Sequence, residues 1–361
     1  MDRDRLVGKL DVARKVRLLT GAAGWRTHDE PDIGLRPIVV SDGPIGVRGQ
    51  GWDERSTSLA LPSPTALAAT WDVDLVRGLG VLLAAEARRK GVDVLLAPTL
   101  NLHRSPFAGR HFECYSEDPV LTARIGAAYI TGVQDGGVAA TAKHYVANDS
   151  ETERLTLDAE VDERTLHEVY LLPFEAAVEA GVWVVMSAYN GVNGTTMSES
   201  PLLDEPLKGS WGFDGVVVSD WGATRSTVAS ARAAQDLAMP GPDSPWNDLV
   251  AAVESGEVPE SALDLKVERL LRLAARVGAQ NGSQPARPRV DAPLDLLREA
   301  VAASTVLLRN DGVLPLSPGV KVAVLGPNAA TARIQGGGSA GVYPESVVSF
   351  VDGLAEVTEV A

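Results

Sequence analysis

Short apolar runs alternate with helix-length amphipathic segments from the start of the chain to about position 278. This alternation restricts the fold more than any other feature. The clearest run is GVVVSDWGA, residues 215–223, in which three valines lead into Ser219, Asp220 and Trp221. A β-branched run bounded by glycine reads as a buried strand. Similar runs lie at 37–40, 92–101, 138–149, 182–191 and 236–241, and a weaker one, TALAAT, at 65–70. Helices are expected over 4–20, 73–90, 119–135, 163–180, 200–210, 224–234, 245–255 and 260–277. Strands and helices in alternation, with short connections, imply βαβ units and a parallel sheet. The count favours a closed (β/α)8-like TIM barrel over an open doubly wound sheet. Such a barrel takes about 250 residues, so a chain of 361 has room for a smaller second region.

AQNGSQPARPRVD, residues 279–291, shifts to Gly, Pro, Ser and Arg and reads as a linker. Beyond it come a helix at 293–304, the strand VKVAVLGPN at 320–328, a Gly-rich turn at 335–342 and a helix at 346–356. A lone strand cannot make a stable α/β domain. The expected organisation is therefore a barrel over 1–278, a linker over 279–296, and the beginning of an α/β domain over 297–361. The chain is then a fragment, or a partner supplies the rest.

The net charge of −15 argues against nucleic acid and anionic membrane surfaces as partners. The single cysteine, Cys114, allows no intrachain disulfide. The N-terminal MDRDRLVGKLD lacks an apolar signal core, and no run reaches the length of a membrane span. A cytoplasmic location is expected.

In parallel barrels the C-terminal ends of the strands carry the chemistry. Taken alone, Asp220 is either the N-cap of the next helix or a reactive group. Other strand ends favour the second reading, because they offer Asp42, Lys143, His144 and Tyr189, with Trp221 beside Asp220. The loop 101–118 adds His103, Arg104, Arg110, Glu113, Glu117 and Asp118. Carboxylates and cations of this kind suit a polyhydroxylated, uncharged ligand, and tryptophan suits the face of a sugar ring. There are 7 Trp against 5 Phe. No zinc-type spacing, Cys–His cluster or Gly-x-Ser-x-Gly elbow is present, so neither a metal nor another cofactor is expected. The Gly-rich turn at 336–341 lacks both the P-loop lysine and the dinucleotide spacing. Lys143 and His144 could also be an ordinary polar strand end, and Arg110 could form a loop-holding ion pair with Glu113 or Asp118. Glu117, Asp118 and His167 read as structural.

The segments SDGPIGVR, RSPFAGRHFECYSEDP, AKHYVAND, MSAYNGVNG, WGFDGVVVSDWGA and LLRNDGVLPL, in that order, resemble family 3 glycoside hydrolases of the β-glucosidase type. The match runs along nearly the whole chain. It implies a (β/α)8-like barrel followed by an α/β sandwich domain, here incomplete, and retaining hydrolysis of terminal β-linked sugars. Carried over residue by residue, Asp220 resembles the nucleophile. Asp42, Arg110, Lys143 and His144 resemble the residues that grip sugar hydroxyls. Tyr189 resembles the tyrosine beside the nucleophile and Trp221 a subsite wall, while Met186 and Arg48 are placed near the site by motif only. Lys143 and Arg110 are expected to favour the ionised form of Asp220, and Tyr189 to donate a hydrogen bond to it.

The resemblance places the acid/base glutamate of two-domain members beyond the end of this chain. The histidine loop of the single-barrel members is absent, since Lys143-His144 runs into YVAND. Glu113 is the in-chain candidate by position. The remaining alternatives are an inactive sugar-binding barrel and a glycoside phosphorylase. The expected partner is a small carbohydrate, with a homo-oligomer or a missing C-terminal half completing the assembly.

Overall fold

The computed structural model describes residues 3–280, 282, 286 and 288–360. The expected linker therefore lies partly outside the described residues. Five short parallel strands make the central sheet: β1 (Val40–Asp42), β2 (Val94–Leu96), β3 (Ala139–Tyr145), β4 (Val184–Ser187) and β5 (Val216–Ser219), side by side in chain order. Backbone bridges continue past both edges. Val218 pairs with Leu237 and Ala238 with Thr20, Gly21 pairs with Thr27, and Arg26 with Val39 beside β1. The sheet is therefore curled, with its edges led back toward each other by single bridges.

Strand parity sorts the side chains into two cores. Val40, Val94, Leu96, Val184, Met186, Val216 and Val218 share an inner core with Leu270 and Leu273. The residues between them, Leu95, Ala140, Ala142, Val185 and Val217, pack outward on α1 (Val73–Arg89) and α2 (Pro119–Asp135). Asp72 and Asp118 cap these helices, each accepting from two backbone N–H groups. Gly80 and Gly132 lie where the backbones of α1 and α2 touch, and a Cβ on Gly132 would strike the Arg77 carbonyl. Helix α3 (Glu260–Val277) buries Leu263, Val267, Leu270, Leu271 and Ala274 at helical spacing. It stops at Gly278, whose φ of 72° is left-handed.

Several expected elements differ. Residues 65–70 form a helix, Pro64–Ala69, with Ser63 accepting from Ala66 N–H and proline in the first turn. The cap and the alanines outweigh the apolar pattern. The expected helix 4–20 is two pieces, Arg3–Val7 and Val12–Leu18, the second capped by Asp11. Residues 236–241 supply bridges rather than a regular strand. There the Asp236 carboxylate accepts from Val217 N–H at 2.8 Å, and Gln235 donates to the Leu237 carbonyl at 2.9 Å. Side chains thus take hydrogen bonds that a ladder would use. Residues 200–210 form short turns, Pro201–Leu203 and Asp204–Lys208.

After residue 287 the chain is sparser. Helix α4 (Pro293–Ser304) starts and ends where the sequence reading puts it. Residues 320–328 reduce to β6 (Lys321–Val322), which pairs in parallel with β7 (Glu359–Val360), so the expected lone strand has a short partner. Leu308 and Leu325 are more than nine-tenths exposed. The Gly-rich turn packs back on the first region, and Tyr343 carbonyl accepts from Ser58 N–H at 2.8 Å.

Candidate active site

A pocket of about 650 Å³ opens at the C-terminal ends of β1–β5. The strand register explains which side chains reach it. Asp42 is level with Leu96 across β1 and β2, and Met186 is level with Val218 across β4 and β5. Val216, Val218 and Asp220 alternate onto one face, so the residue after β5 must point into the same hollow. Asp42, Arg110, Lys143, His144, Met186, Tyr189, Asp220 and Trp221 all line the pocket. Arg48 does not line it and lies behind the wall, with its guanidinium between the rings of Trp25 and Trp52.

Asp220 is not a helix cap, because the next helix begins at Val228 with Thr227 at its cap position. One carboxylate oxygen, Oδ1, accepts from Trp221 N–H at 2.7 Å. The other, Oδ2, is buried without a hydrogen-bond partner and lies 3.6 Å from His144 Nε2. Burial raises the carboxyl above its ordinary 3.8, and Lys143, the Trp221 amide and Arg110 offset that only in part. The cations therefore act in the expected direction but do not prevail over desolvation. The Tyr189 hydroxyl interacts with the Asp220 carboxylate, and it also donates to the Trp221 carbonyl at 3.0 Å. Burial, followed by the Asp220 charge, raises the Tyr189 pKa and keeps that hydroxyl protonated.

The other polar groups interlock. Lys143 Nζ donates to Asp42 Oδ1 at 3.0 Å and lies 4.0 Å from Glu113. Arg110 Nε donates to Glu113 Oε1 at 2.6 Å, and Thr99 Oγ1 donates to the second Glu113 oxygen at 3.0 Å. Burial pushes Glu113 up, but Arg110 and Lys143 outweigh it and hold the carboxylate below its usual range. Glu113 is therefore an anchored carboxylate with both oxygens engaged. The ion pair between Arg110 and Glu113 coexists with a contact from Arg110 Nη2 to His144 Nε2 at 3.0 Å. The guanidinium can only donate, so Nε2 accepts, and the proton sits on Nδ1, 2.9 Å from Asn101 Oδ1. Burial, then Arg110, Lys143 and Arg154, drive the His144 pKa well below 6.5. The imidazole is neutral and forms no salt bridge with Asp220.

Several lining groups carry no sequence motif. Arg154 stacks over the Tyr189 ring at 4.4 Å and pairs with Glu151 at 2.8 Å. Trp25 stacks on Trp221 with centroids 5.0 Å apart. Trp52, Phe112 and residues 336–340 complete the wall. The excess of tryptophan was the available signal for Trp25 and Trp52. Residues 336–340 are legible as a Gly-rich turn, but nothing local shows that they face strand ends more than a hundred positions earlier in the chain.

Comparisons with known proteins place the chain in a family. The profile described as glycosyl hydrolase family 3 N terminal domain matches residues 28–273, and the corresponding C-terminal domain matches 305–360. The chain belongs to glycoside hydrolase family 3. It is 49% identical to a β-glucosidase of Rhizobium radiobacter over 363 residues, covering 97% of this chain and 44% of that protein. It is 43% identical to β-glucosidase B of Emericella nidulans, covering 97% of this chain and 43% of that one. Among solved structures, β-glucosidase 3B of Thermotoga neapolitana in complex with α-D-glucose matches with a TM-score of 0.94 at 35% identity, covering 100% of this chain and 55% of that one. The Kluyveromyces marxianus β-glucosidase in complex with glucose gives 0.93 at 35% identity, covering 100% and 45%. The chain thus spans about half the length of its relatives. Among the described residues, no helix is long and apolar enough to cross a membrane.

Proposed function

We propose that this chain is the nucleophile-bearing part of a retaining glycoside hydrolase acting on terminal β-linked glucosides. Its catalytic part is a (β/α)8-like barrel through about residue 278, and a sandwich-type region begins near 297. The observation that carries the reading is Asp220, a buried carboxylate at a strand end with one oxygen held by Trp221 N–H and the other unpartnered in the pocket. A carboxylate so placed is poised to attack. Its Oδ2 forms a bond to the anomeric carbon as the bond to the leaving oxygen breaks, giving a glycosyl ester that water then hydrolyses. Asp42 and Lys143 take neighbouring ring hydroxyls, and Arg110 takes another while orienting neutral His144. Trp221 offers an indole face to the ring.

A leaving oxygen needs a proton unless it is already a stable anion. The resemblance to two-domain members of the family puts that acid on a glutamate outside this chain. The chain should therefore turn over activated glucosides and leave unactivated disaccharides almost untouched. The deciding test is incubation with a 2-deoxy-2-fluoro β-glucoside carrying a dinitrophenyl leaving group. The expected result is one fluoroglucosyl mass on the peptide containing Asp220. Sugar binding without any label would instead mark an inactive binding barrel. Release of label as a sugar phosphate, only in the presence of phosphate, would mark a phosphorylase.

A further inference from the structure

Arg48 is 3% exposed, yet it makes a single side-chain hydrogen bond, from Nη1 to the Ser339 carbonyl at 2.9 Å. Its Nε and Nη2 are buried without hydrogen-bond partners, and Nη1 forms an ion pair with Asp42 Oδ2 at 3.8 Å, too long for a hydrogen bond. A buried guanidinium so poorly bonded needs another source of stabilisation. Two indoles supply it, with Cζ 4.0 Å from the Trp25 ring and 4.0 Å from the Trp52 ring. Such contacts are strongest when the cation is desolvated. Trp25 continues the stack to Trp221, whose N–H holds Asp220. Trp52 ends it at the pocket mouth and remains 55% exposed.

The segment that receives Arg48 is the Gly-rich loop of the second region. Its other fastenings are few. Val342 packs on Gly46, where a Cβ would crowd it, and Gly336 lies against Phe112 with no room for a Cβ. Gln335 closes the loop on itself through the Val342 amide and carbonyl.

We infer that Trp52 is a positioning residue that clamps Arg48 against Trp25, so that Arg48 holds residues 336–340 in place as a wall of the sugar pocket. The effect on sugar affinity rests on the proposed glycosidase reading, whereas the clamp itself does not. Amide hydrogen exchange in the full chain tests the clamp. The reporters are Gly341 and Val342, which donate to Gly338 O and Gln335 Oε1. Trp52→Ala should speed their exchange by about 10-fold, and Trp52→Phe should restore protection to within about 2-fold, while β5 amides stay protected in both. Unchanged loop exchange in Trp52→Ala overturns the clamp. If β5 also opens in that variant, Arg48→Lys decides, because lysine keeps the charge but cannot fill the slot between the rings and reach Ser339 together. Equal loop exchange in Arg48→Lys and wild type then overturns it. Calorimetry with D-glucose should show Kd raised by about 5- to 10-fold in Trp52→Ala and restored in Trp52→Phe. A wild-type chain that neither binds glucose nor labels at Asp220 overturns the glycosidase reading, and loop exchange still decides the clamp.

Discussion

The two regions of this chain solve opposite problems. In residues 3–280 charged groups are buried, and almost every one is matched: Lys143 with Asp42, Arg110 with Glu113, and Lys208 and Arg269 with Asp236. In residues 288–360 apolar groups are exposed, among them Leu307, Leu308, Val313, Leu325 and Val357. The first region spends stability to hold a polar pocket and recovers it in two apolar cores. The second has too little packed surface to hold its own loops, so it leans on the first through α4 and the 335–343 segment. The difference teaches that the pocket's floor is built from buried, paired groups of one region, while part of its wall comes from the other.

The largest effect should come from Asp220→Asn, which keeps the shape but removes the nucleophile. Labelling should fall by about 10⁴-fold or more, read by mass spectrometry. Loss of a few-fold only would shift the chemistry to another group and break the comparison at its centre.

Next, Lys143→Ala should cost about 3 kcal/mol in denaturant unfolding, because it removes the hydrogen-bonded partner of buried Asp42 and leaves it only the longer ion pair with Arg48. Leu308→Ala and Leu325→Ala should each change stability by less than about 0.5 kcal/mol, as exposed side chains do. Equal costs in the two regions would erase the distinction. Limited proteolysis sharpens it further, since the first cuts are expected within 305–333, with the 3–280 region surviving as the larger product.

The pH dependence is a smaller effect. Labelling needs ionised Asp220, whose pKa is raised above 3.8 by burial. The rate should therefore fall as pH drops through a value higher than that of an ordinary aspartate. Removing a cation raises a carboxyl's pKa further, so Lys143→Gln should move that acid limb upward. A limb at the ordinary position, or a downward move, contradicts the desolvated site.

The smallest expected change is in stability. The folded state holds the Asp220 proton more tightly than the unfolded chain does. Its ionisation therefore lowers stability as pH rises from about 3.8 through the raised value, and the cost is fully present at neutral pH. Asp220→Asn should raise Tm at pH 7 by roughly 2 °C, and lower it or leave it unchanged below pH 3.

Much of the fold was legible locally. Helices α2, α3 and α4 were read with their boundaries, and in α2 and α3 the boundary signals, Asp118 and Gly278, act within one turn. The alternation in VVVSD already placed Val216, Val218 and Asp220 on one face. Residues 65–70 form a helix and not the expected strand because so short an apolar run fits either period, and the deciding cap, Ser63, precedes it. Apolar runs predict seven strands before position 278, and the described residues show five in the central sheet, because 65–70 form a helix and because Asp236 and Gln235 satisfy strand-edge groups with side chains.

By itself the sequence determined which residues could stand at strand ends, and so much of the floor: Asp42, Lys143, His144 and Asp220. Periodicity and caps act over a few residues, and such information is carried in the order of the chain. Only the tertiary structure decided that desolvation outweighs the cations at Asp220, that Glu113 is an anchored anion, that Arg48 stands behind the wall, and that residues 336–340 face the pocket. Burial and long-range contact are properties of the packed molecule, set by residues tens to hundreds of positions apart, and no local pattern records them.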